Sequence, residues 1–270
     1  MKLAIVGKGG VGKTLVAGTL VRLFAGSGFK VLAFDLDPAM NLSYTIGINA
    51  EIASKITPLS ENHDLIEERT GARPGSSGSV FSLTPKVSDI ADKYGVVGPD
   101  GIHLIVMGTV RSGGTGCMCP SNALAKALVR HLLVSSNEVV IMDMEAGLEH
   151  LGRGTVKGVN AMLCIVEPRM QSIETARRIF ELSTHIGVKD VFVVGNKIKS
   201  NDDKQFIETS INKEKMPLIS TIPYDEMMEK ADKARIAPVD YAPNSSAIKA
   251  IEVLKNYLID KYENLNRTIT

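Results

Sequence analysis

Residues 7–14 form a glycine-rich segment whose residue types suit the binding of a polyphosphate. The segment reads Gly-Lys-Gly-Gly-Val-Gly-Lys-Thr, follows an apolar run at 3–6 and precedes a helical pattern at 15–24. Glycines let backbone N–H groups surround phosphates, and a helix N-terminus adds partial positive charge. Lys13 can reach the β- and γ-phosphates, and the Thr14 hydroxyl can ligate Mg²⁺. The spacing therefore predicts a nucleotide-binding P-loop, with contacts from Gly9, Gly10, Val11, Gly12, Lys13, Thr14 and Leu15.

Two carboxylates follow the second apolar run, in the sequence Asp35-Leu36-Asp37-Pro38. Strand alternation sends Asp35 and Asp37 to the same side, and Pro38 ends the strand. A carboxylate at this strand end would lie beside the γ-phosphate of a nucleotide bound in the P-loop. We expect Asp35 to contact the P-loop or a water bound to Mg²⁺, and Asn41 is a weaker candidate for this site.

A third carboxylate, Asp143, ends the apolar run at 139–142. An aspartate directly after an apolar strand is the Walker B arrangement, which holds Mg²⁺ in P-loop proteins. The predicted Mg²⁺-binding residues are therefore Thr14, Asp35 and Asp143.

The sequence Gly195-Asn196-Lys197 follows another apolar run and is predicted to contact the nucleotide base. Asn196 offers both a donor and an acceptor, which suits a purine edge. GTPases continue this pattern with an aspartate two residues after the lysine, where this chain has Lys199. A lysine cannot accept the guanine N–H groups, so ATP is favoured over GTP. Pro223 and Tyr224 are predicted to close the other side of the base.

Cys117 and Cys119 lie in a glycine-rich loop just before Pro120, which is not the setting of a buried structural cysteine. A Cys-X-Cys pair is strained as a disulfide within one chain and supplies two of the four ligands of a tetrahedral metal. Soft thiolates suit Zn²⁺ or Ni²⁺ better than Mg²⁺. The same loop of a second subunit could supply the other two ligands across a two-fold axis. Cys164, within an apolar run, fits a small buried hydrophobic residue instead.

Alternating strand-like and helical patterns position these residues. The strand-like runs lie at 2–6, 31–35, 102–107, 138–142, 161–166, 190–195 and 218–222. The helical patterns lie at about 13–26, 121–135, 171–186, 202–213, 225–234 and 246–262. This order predicts the α/β class, with a doubly wound, mostly parallel sheet covered by helices on both faces. Ligands of such sheets bind at the carboxyl ends of the strands, where the predicted site residues fall.

The length of 270 residues suits a single P-loop ATPase domain, 1–270, with a loop-rich excursion at about 70–101. Short strands near 79–83 and 94–97 are predicted in this excursion, which is either a mobile insertion or a partner-binding loop. The final helix carries one apolar stripe, which is expected to dock on the core because its polar face is mixed in charge. The stripe consists of Ile248, Ile251, Leu254, Leu258 and Ile259.

Composition excludes several classes of partner. The formal net charge is +1 and aromatic residues make up 5% of the chain, so neither a broad electrostatic field nor a base-stacking platform for nucleic acid is expected. No apolar run approaches the ~20 residues that span a bilayer, and the chain starts without a signal-peptide pattern. Three cysteines do not form a disulfide framework, which favours the cytoplasm.

Lys8 gives the P-loop the form Lys-Gly-Gly-Val-Gly-Lys-Thr, which resembles the deviant P-loop of the MinD, ParA and nitrogenase iron protein group. This resemblance implies that Lys8 reaches across a homodimer to the partner's nucleotide. It also implies that Asp37 orients or deprotonates the attacking water. The predicted catalytic residues are therefore Lys8, Lys13 and Asp37.

Two further motifs narrow the resemblance. The sequence Cys-Met-Cys-Pro at 117–120 and the long segment Met-Glu-Ala-Gly-Leu-Glu-His-Leu-Gly-Arg-Gly-Thr at 144–155 look like the CooC family, ATPases that mature nickel-containing carbon monoxide dehydrogenase. The resemblance covers residues 1 to about 260. It implies an ATP- and metal-dependent homodimer, with Zn²⁺ or Ni²⁺ bridging the subunits, that assists nickel insertion into the active-site cluster of the dehydrogenase.

Two alternatives within the same group remain. A redox protein like the nitrogenase iron protein would place a [4Fe–4S] cluster between subunits, but the segment 143–154 has no cysteine to hold it. A positioning ATPase of the MinD or ParA kind is disfavoured by the mixed charge of the last helix and by the near-neutral net charge.

Overall fold

The apolar runs of the sequence form one β-sheet. A computed structural model describes residues 1–37, 39–76, 80–108, 120–135, 138–144, 158–212 and 216–267. The strands are β1 Lys2–Gly7, β2 Val31–Asp35, β3 Val96–Val97, β4 His103–Val106, β5 Val139–Asp143, β6 Ala161–Val166, β7 Asp190–Ile198 and β8 Leu218–Pro223. Within the described residues their order is β3-β4-β2-β5-β1-β6-β7-β8. The short β3 pairs antiparallel with β4, and the other pairs are parallel.

Helices follow the strands as crossovers. They are α1 Lys13–Gly26, α2 Leu42–Thr45, α3 Ala50–Ala53, α4 His63–Thr70, α5 Ile90–Tyr94, α6 Pro120–Ser135, α7 Met170–Ile186, α8 Asn201–Asn212, α9 Glu226–Ala234, α10 Pro238–Tyr241 and α11 Ser246–Arg267. Helices α1, α2, α9 and α11 cover one face of the sheet, and α4 to α8 cover the other. The predicted doubly wound α/β fold is confirmed.

Strand alternation explains why both faces are apolar. Leu3 and Ile5 of β1 pack with α1 and α11 on one face, whereas Ala4 and Val6 pack on the opposite face. A strand covered on both faces needs apolar residues at every position, which is why the runs in the sequence are continuous.

The position of β1 fixes the place of the site. β1 lies between β5 and β6, with β2 to β5 on one side of it and β6 to β8 on the other. The loop after β1 therefore opens at the point where the strand order reverses, which is where doubly wound sheets bind ligands. The register places Asp35 of β2 opposite Asp143 of β5.

The apolar stripe of the last helix is buried, as the sequence predicted. Ile248, Ile251, Leu254 and Leu258 are at most 4% exposed, and Ile259 packs partly buried against the same cluster. Each such aliphatic side chain contributes roughly 1.5–3 kcal/mol when fully buried. No helix among the described residues has the length and apolar character needed to cross a membrane.

The excursion at 70–101 agrees with the prediction in part. The short strand expected near 94–97 is present as β3, Val96–Val97, whereas the described residues 80–83 are not a strand and the helix α5 was not predicted. Ile90 is fully buried in the core, and Arg69 of α4 forms two hydrogen bonds, at 3.0 and 2.8 Å, with Asp89 just before α5. The burial of Ile90 and this ion pair fasten α5, and neither contact is visible in the local sequence pattern.

Candidate nucleotide-binding site

The P-loop joins β1 to α1 and depends on two glycines with positive φ. Gly12, at φ 95°, lies so close to strand β7 that an added Cβ would be 2.4 Å from the Asn196 amide nitrogen. Gly10, at φ 82°, is exposed and has no neighbouring atom within 4 Å of an added Cβ. The base of the loop is therefore packed, and its apex, which we define as Gly9 and Gly10, is open.

A cavity of about 870 Å³ lies above the loop, large enough for a nucleoside triphosphate. Most of the predicted contact residues line it. These are Gly9, Gly10, Gly12, Lys13, Thr14, Leu15, Asp37, Asn196, Lys197, Pro223 and Tyr224. Val11 is fully buried beneath the loop instead, and the half-buried Lys8 lies outside the cavity wall. Asn41 also lines the cavity.

Lys13 and Asp37 face each other at the phosphate end. The Lys13 ammonium is 3.6 Å from the Asp37 carboxylate, and the two side chains are 6% and 14% exposed. The backbone N–H of Ala39 donates to the other Asp37 oxygen at 2.9 Å, which orients the carboxylate. A triphosphate in the loop would compete with Asp37 for the Lys13 ammonium.

Asp143 is a fully buried carboxylate next to two residues of the cavity wall, Thr14 and Lys13. Neither of its oxygens has a hydrogen bond of ordinary geometry among the described residues. Burial raises the pKa of Asp143 to about 6, and the neighbouring Thr14 hydroxyl and Lys13 ammonium oppose that rise. A buried carboxylate that lacks an ordinary hydrogen bond is expensive, and a divalent cation with oxygen ligands would offset the cost. Thr14 and Asp143 therefore fit the Mg²⁺ of a bound nucleotide.

Asp35 is fully buried, and both of its oxygens accept backbone hydrogen bonds. Asp37 N donates to one oxygen and Leu42 N to the other, each at 3.1 Å. Burial and the nearby Asp143 raise the pKa of Asp35 to about 8, against the effect of these two hydrogen bonds. Asp35 thus fastens the segment that carries Asp37, and direct contact with Mg²⁺ stays a prediction.

Asn196 fastens the P-loop to β7. Its side-chain amide donates to Val11 O at 2.8 Å, and its side-chain oxygen accepts from Lys197 N at 2.9 Å. Because the residue is 5% exposed, this contact is part of the core beneath the loop. One amide N–H and one lone pair remain for a purine edge, so base recognition by Asn196 stays a prediction.

Lys197 is directed to the P-loop apex. Its ammonium donates to Gly10 O at 2.7 Å and lies 3.7 Å from the Glu167 carboxylate. The sequence pattern predicted contact of Lys197 with the base and gave no indication of Glu167. The sequence feature that could have indicated Glu167 is its position as a charged residue directly after the apolar strand β6, which neighbours β1.

The opposite wall of the cavity comes from β8 and α9. Tyr224 lies under the Lys199 ammonium, which is 4.4 Å from the ring centroid, and its hydroxyl donates to Glu229 at 3.0 Å. This hydrogen bond raises the pKa of the Tyr224 hydroxyl. Tyr44 and Arg235 also line the cavity, with the guanidinium 5.4 Å from the Tyr44 ring centroid. Tertiary packing alone brings this pair together, so no local sequence signal predicted it.

The proposed metal ligands Cys117 and Cys119 lie outside the described residues, as does 145–157 of the second switch. The described part of the chain has no cluster of three His, Cys, Asp or Glu side chains arranged to hold a metal. Cys164 is buried in the core, and burial raises the pKa of its thiol to about 12. The prediction for Cys164 as a buried hydrophobic residue is confirmed.

Comparisons with known proteins identify a nucleotide-binding family. Residues 3–239 match the CobQ/CobB/MinD/ParA nucleotide binding domain. The chain is 45% identical over 261 residues to an uncharacterised ATP-binding protein of Methanocaldococcus jannaschii, covering 96% of this chain and 98% of that one. It is 40% identical over 243 residues to the carbon monoxide dehydrogenase accessory protein CooC of Rhodospirillum rubrum, covering 90% and 91%.

Among solved structures, the septum site-determining protein MinD of Pyrococcus horikoshii in complex with Mg-ADP superposes with a TM-score of 0.65. It is 18% identical and the match covers 95% of each chain, which establishes a shared fold. The resemblance to the CooC and MinD/ParA proteins, predicted from the P-loop and from the motifs at 117–120 and 144–155, is confirmed.

Proposed function

The chain belongs to the CobQ/CobB/MinD/ParA family of nucleotide-binding domains, and on this premise we propose that it binds ATP with Mg²⁺ and hydrolyses it to ADP and phosphate. The observation that carries the proposal is that Lys13 and Asp37 face each other on the cavity wall, with the carboxylate of Asp143 buried beside them. A cation for phosphate, a carboxylate for water and an unpartnered carboxylate for a metal meet there.

Each residue has a separate role in the proposed reaction. Lys13 binds the phosphate oxygens and stabilises the charge that develops on them. Asp37 orients the attacking water or accepts its proton, since its carboxylate lies on the cavity wall and is held by Ala39 N. Thr14 and Asp143 hold Mg²⁺, which neutralises phosphate charge when it is bound. Lys199 supports ATP over GTP because it stands where GTPases have an aspartate, and a lysine cannot accept the guanine N–H groups.

Further, we propose that this ATPase is an accessory protein that assists nickel insertion into carbon monoxide dehydrogenase. Support comes from the 40% identity to CooC of R. rubrum and from the Cys-X-Cys sequence at Cys117 and Cys119. In this proposal, residues 1–270 act as one domain in the cytoplasm. Two copies form a homodimer in which Lys8 contacts the partner's nucleotide and four thiolates hold one Zn²⁺ or Ni²⁺.

The test is activation of a nickel carbon monoxide dehydrogenase in cells that express it with or without this chain under limiting nickel. We expect a higher fraction of nickel-loaded, active dehydrogenase with the wild-type chain and no gain with Lys13→Ala. Equal activation by the wild-type and Lys13→Ala chains would contradict an ATP-driven role. Against the MinD-like alternative, the apolar stripe of α11 is occupied by the core and is not available to a bilayer.

A further inference from the structure

Lys197 has an unusual backbone conformation for its residue type. Its φ is +58°, and within the described residues it shares a positive φ with only three other non-glycine residues, Met40, Asp100 and Arg235. The left-handed region is unfavourable for a residue with a β-carbon, and such residues persist where the surrounding structure enforces them. The outlier therefore points to a contact that depends on the direction of this side chain.

That contact is with the P-loop apex. The ammonium of Lys197 donates to Gly10 O at 2.7 Å although the side chain is 42% exposed. Gly9 and Gly10 are the exposed central residues of a turn that is closed by a hydrogen bond from Val11 N to Lys8 O at 3.4 Å. Neither Gly9 nor Gly10 has an atom within 4 Å of an added Cβ. The apex is thus held by this ammonium, while the base of the loop is held by packing.

Glu167, directly after β6, orients the Lys197 ammonium; β6 lies between β1 and β7 in the sheet. Its carboxylate lies 3.7 Å from Lys197 Nζ and 3.6 Å from Arg169 Nε, and it is 14% exposed. The Glu167 backbone N–H donates to Ser172 Oγ at 3.1 Å, which ties Glu167 to the start of α7. Because β1, β6 and β7 are neighbours in the sheet, their carboxyl ends carry the apex, Glu167 and Lys197 side by side.

We propose that Lys197, oriented by Glu167, is a positioning residue that fixes the P-loop apex for the nucleotide phosphates. An untethered glycine turn samples many conformations, and ordering it on binding weakens affinity. Lys197 removes part of that cost before the nucleotide arrives. This inference rests on the proposed ATP binding, and it replaces the expected contact of Lys197 with the base.

A role of Lys197 at the phosphates can be distinguished experimentally from a role at the base. A residue that acts through the P-loop changes the affinity for ATP and for inosine triphosphate by the same factor, because the two ligands share the triphosphate. A residue that reads the base changes the ratio of the two affinities. Binding is measured by calorimetry with Mg²⁺ present, and the melting temperature of each protein without nucleotide is recorded alongside.

Five variants complete the test. Lys197→Met removes the ammonium and keeps the stem, whereas Lys197→Gly removes the ammonium and also relieves the backbone strain. Lys197→Arg retains a cation, Glu167→Gln removes the orienting charge, and Lys204→Met is the control because Lys204 is an exposed lysine on the neighbouring helix α8.

We expect Lys197→Met and Lys197→Gly each to weaken ATP and inosine triphosphate about tenfold, as loss of one hydrogen bond from a charged donor implies. The ratio of the two affinities and the melting temperatures should stay close to wild type. Lys197→Arg should recover most of the affinity, Glu167→Gln should lose a few-fold, and Lys204→Met should bind as wild type.

Wild-type affinity in Lys197→Met, or a loss confined to ATP, would overturn the inference and leave the proposed ATPase intact. Normal affinity in Lys197→Gly with loss in Lys197→Met would also overturn it, because backbone strain would then be responsible. A wild-type chain that binds neither nucleotide would refute the proposed function and this inference together.

Discussion

Asp143 makes the stability of the protein depend on pH in a way that one substitution can isolate. Burial raises its pKa from an ordinary value of 3.8 to about 6 in the folded chain. Since one pKa unit corresponds to about 1.4 kcal/mol, ionised Asp143 destabilises the fold by roughly 3 kcal/mol above pH 6. The folded state holds the proton more tightly than the unfolded state, so this cost is absent at low pH and grows as pH rises from 3.8 through 6.

Asp143→Asn removes the charge and keeps the size of the side chain. The unpartnered amide has its own burial cost, which is independent of pH and does not affect a comparison between two pH values. Between pH 4.5 and 7.5 the variant should therefore gain about 2 kcal/mol relative to wild type, or roughly 4–8 °C in melting temperature. Asp35 has a pKa of about 8, so it stays mostly protonated over this range and contributes little to the difference.

The assay is thermal unfolding of both proteins in EDTA without nucleotide, with Asp202→Asn on α8 as a control for the loss of an exposed carboxylate. A second arm adds Mg²⁺ and ADP, which stabilises a binding-competent chain by about 2.7 kcal/mol at a concentration of 100 Kd. Wild type should gain this increment, and Asp143→Asn should gain far less. Parallel pH curves for wild type and Asp143→Asn in EDTA would refute the reasoning, because the buried charge would then have no cost.

The other predictions concern the reaction, the dimer and the metal. Lys13→Ala should abolish tight ATP binding, whereas Asp37→Ala should bind ATP and hydrolyse it at least ~100-fold more slowly, as measured by phosphate release. Normal turnover by Asp37→Ala would remove that residue from its role. Lys8→Ala should lose both ATPase activity and dimerisation with a non-hydrolysable ATP analogue, measured by sedimentation; a variant that still dimerises and turns over would place Lys8 on a solvated loop. Metal analysis of size-separated protein should give one Zn²⁺ or Ni²⁺ per dimer, lost in Cys117→Ser or Cys119→Ser, and one metal per monomer would contradict four-thiolate bridging.

Local patterns predicted the elements around the P-loop well. The helix expected at 13–26 is α1 with the same bounds, because Gly12 and Lys13 mark its start and the apolar residues repeat at helical spacing. Strands predicted at 31–35 and 161–166 also coincide with β2 and β6. These elements are covered by the core on their apolar faces, so the sequence pattern and the tertiary structure agree.

The segment between β2 and β4 was predicted poorly, since α2 to α5 were not recognised. Their stability comes from contacts far apart in sequence. Asp35 accepts the Leu42 N–H at the start of α2, and Arg69 at the end of α4 binds Asp89 before α5. Such short helices lack the length that periodicity needs, and a pattern-based prediction cannot supply the distant partner.

The residues of the candidate site also differ in whether a local sequence pattern predicted their placement. Lys13, Asp37 and Asp143 were found because strand ends and the P-loop have local signatures. The direction of Lys197 was not, because it follows from a positive φ and from a backbone carbonyl on another strand. A lysine at position 197 is compatible with contact to the base or with contact to the P-loop. Its hydrogen bond to Gly10 O, which only the three-dimensional structure shows, favours the P-loop.

The charge of the site gives a physical reason why ATP would close the proposed dimer. Asp37 and Asp143 lie beside Lys13 at the phosphate end, and the buried Asp35 adds no full charge at neutral pH because its pKa is raised to about 8. A triphosphate adds several negative charges, of which Mg²⁺ and the N-terminus of α1 offset a part. Lys8 stands outside the cavity wall of its own chain and forms no ion pair with any described residue. In the proposed dimer, a second copy facing the cavity could deliver its Lys8 to the phosphates. ATP would then favour the closed dimer because the bound charge attracts the partner's cation, and hydrolysis with release of phosphate would weaken that attraction.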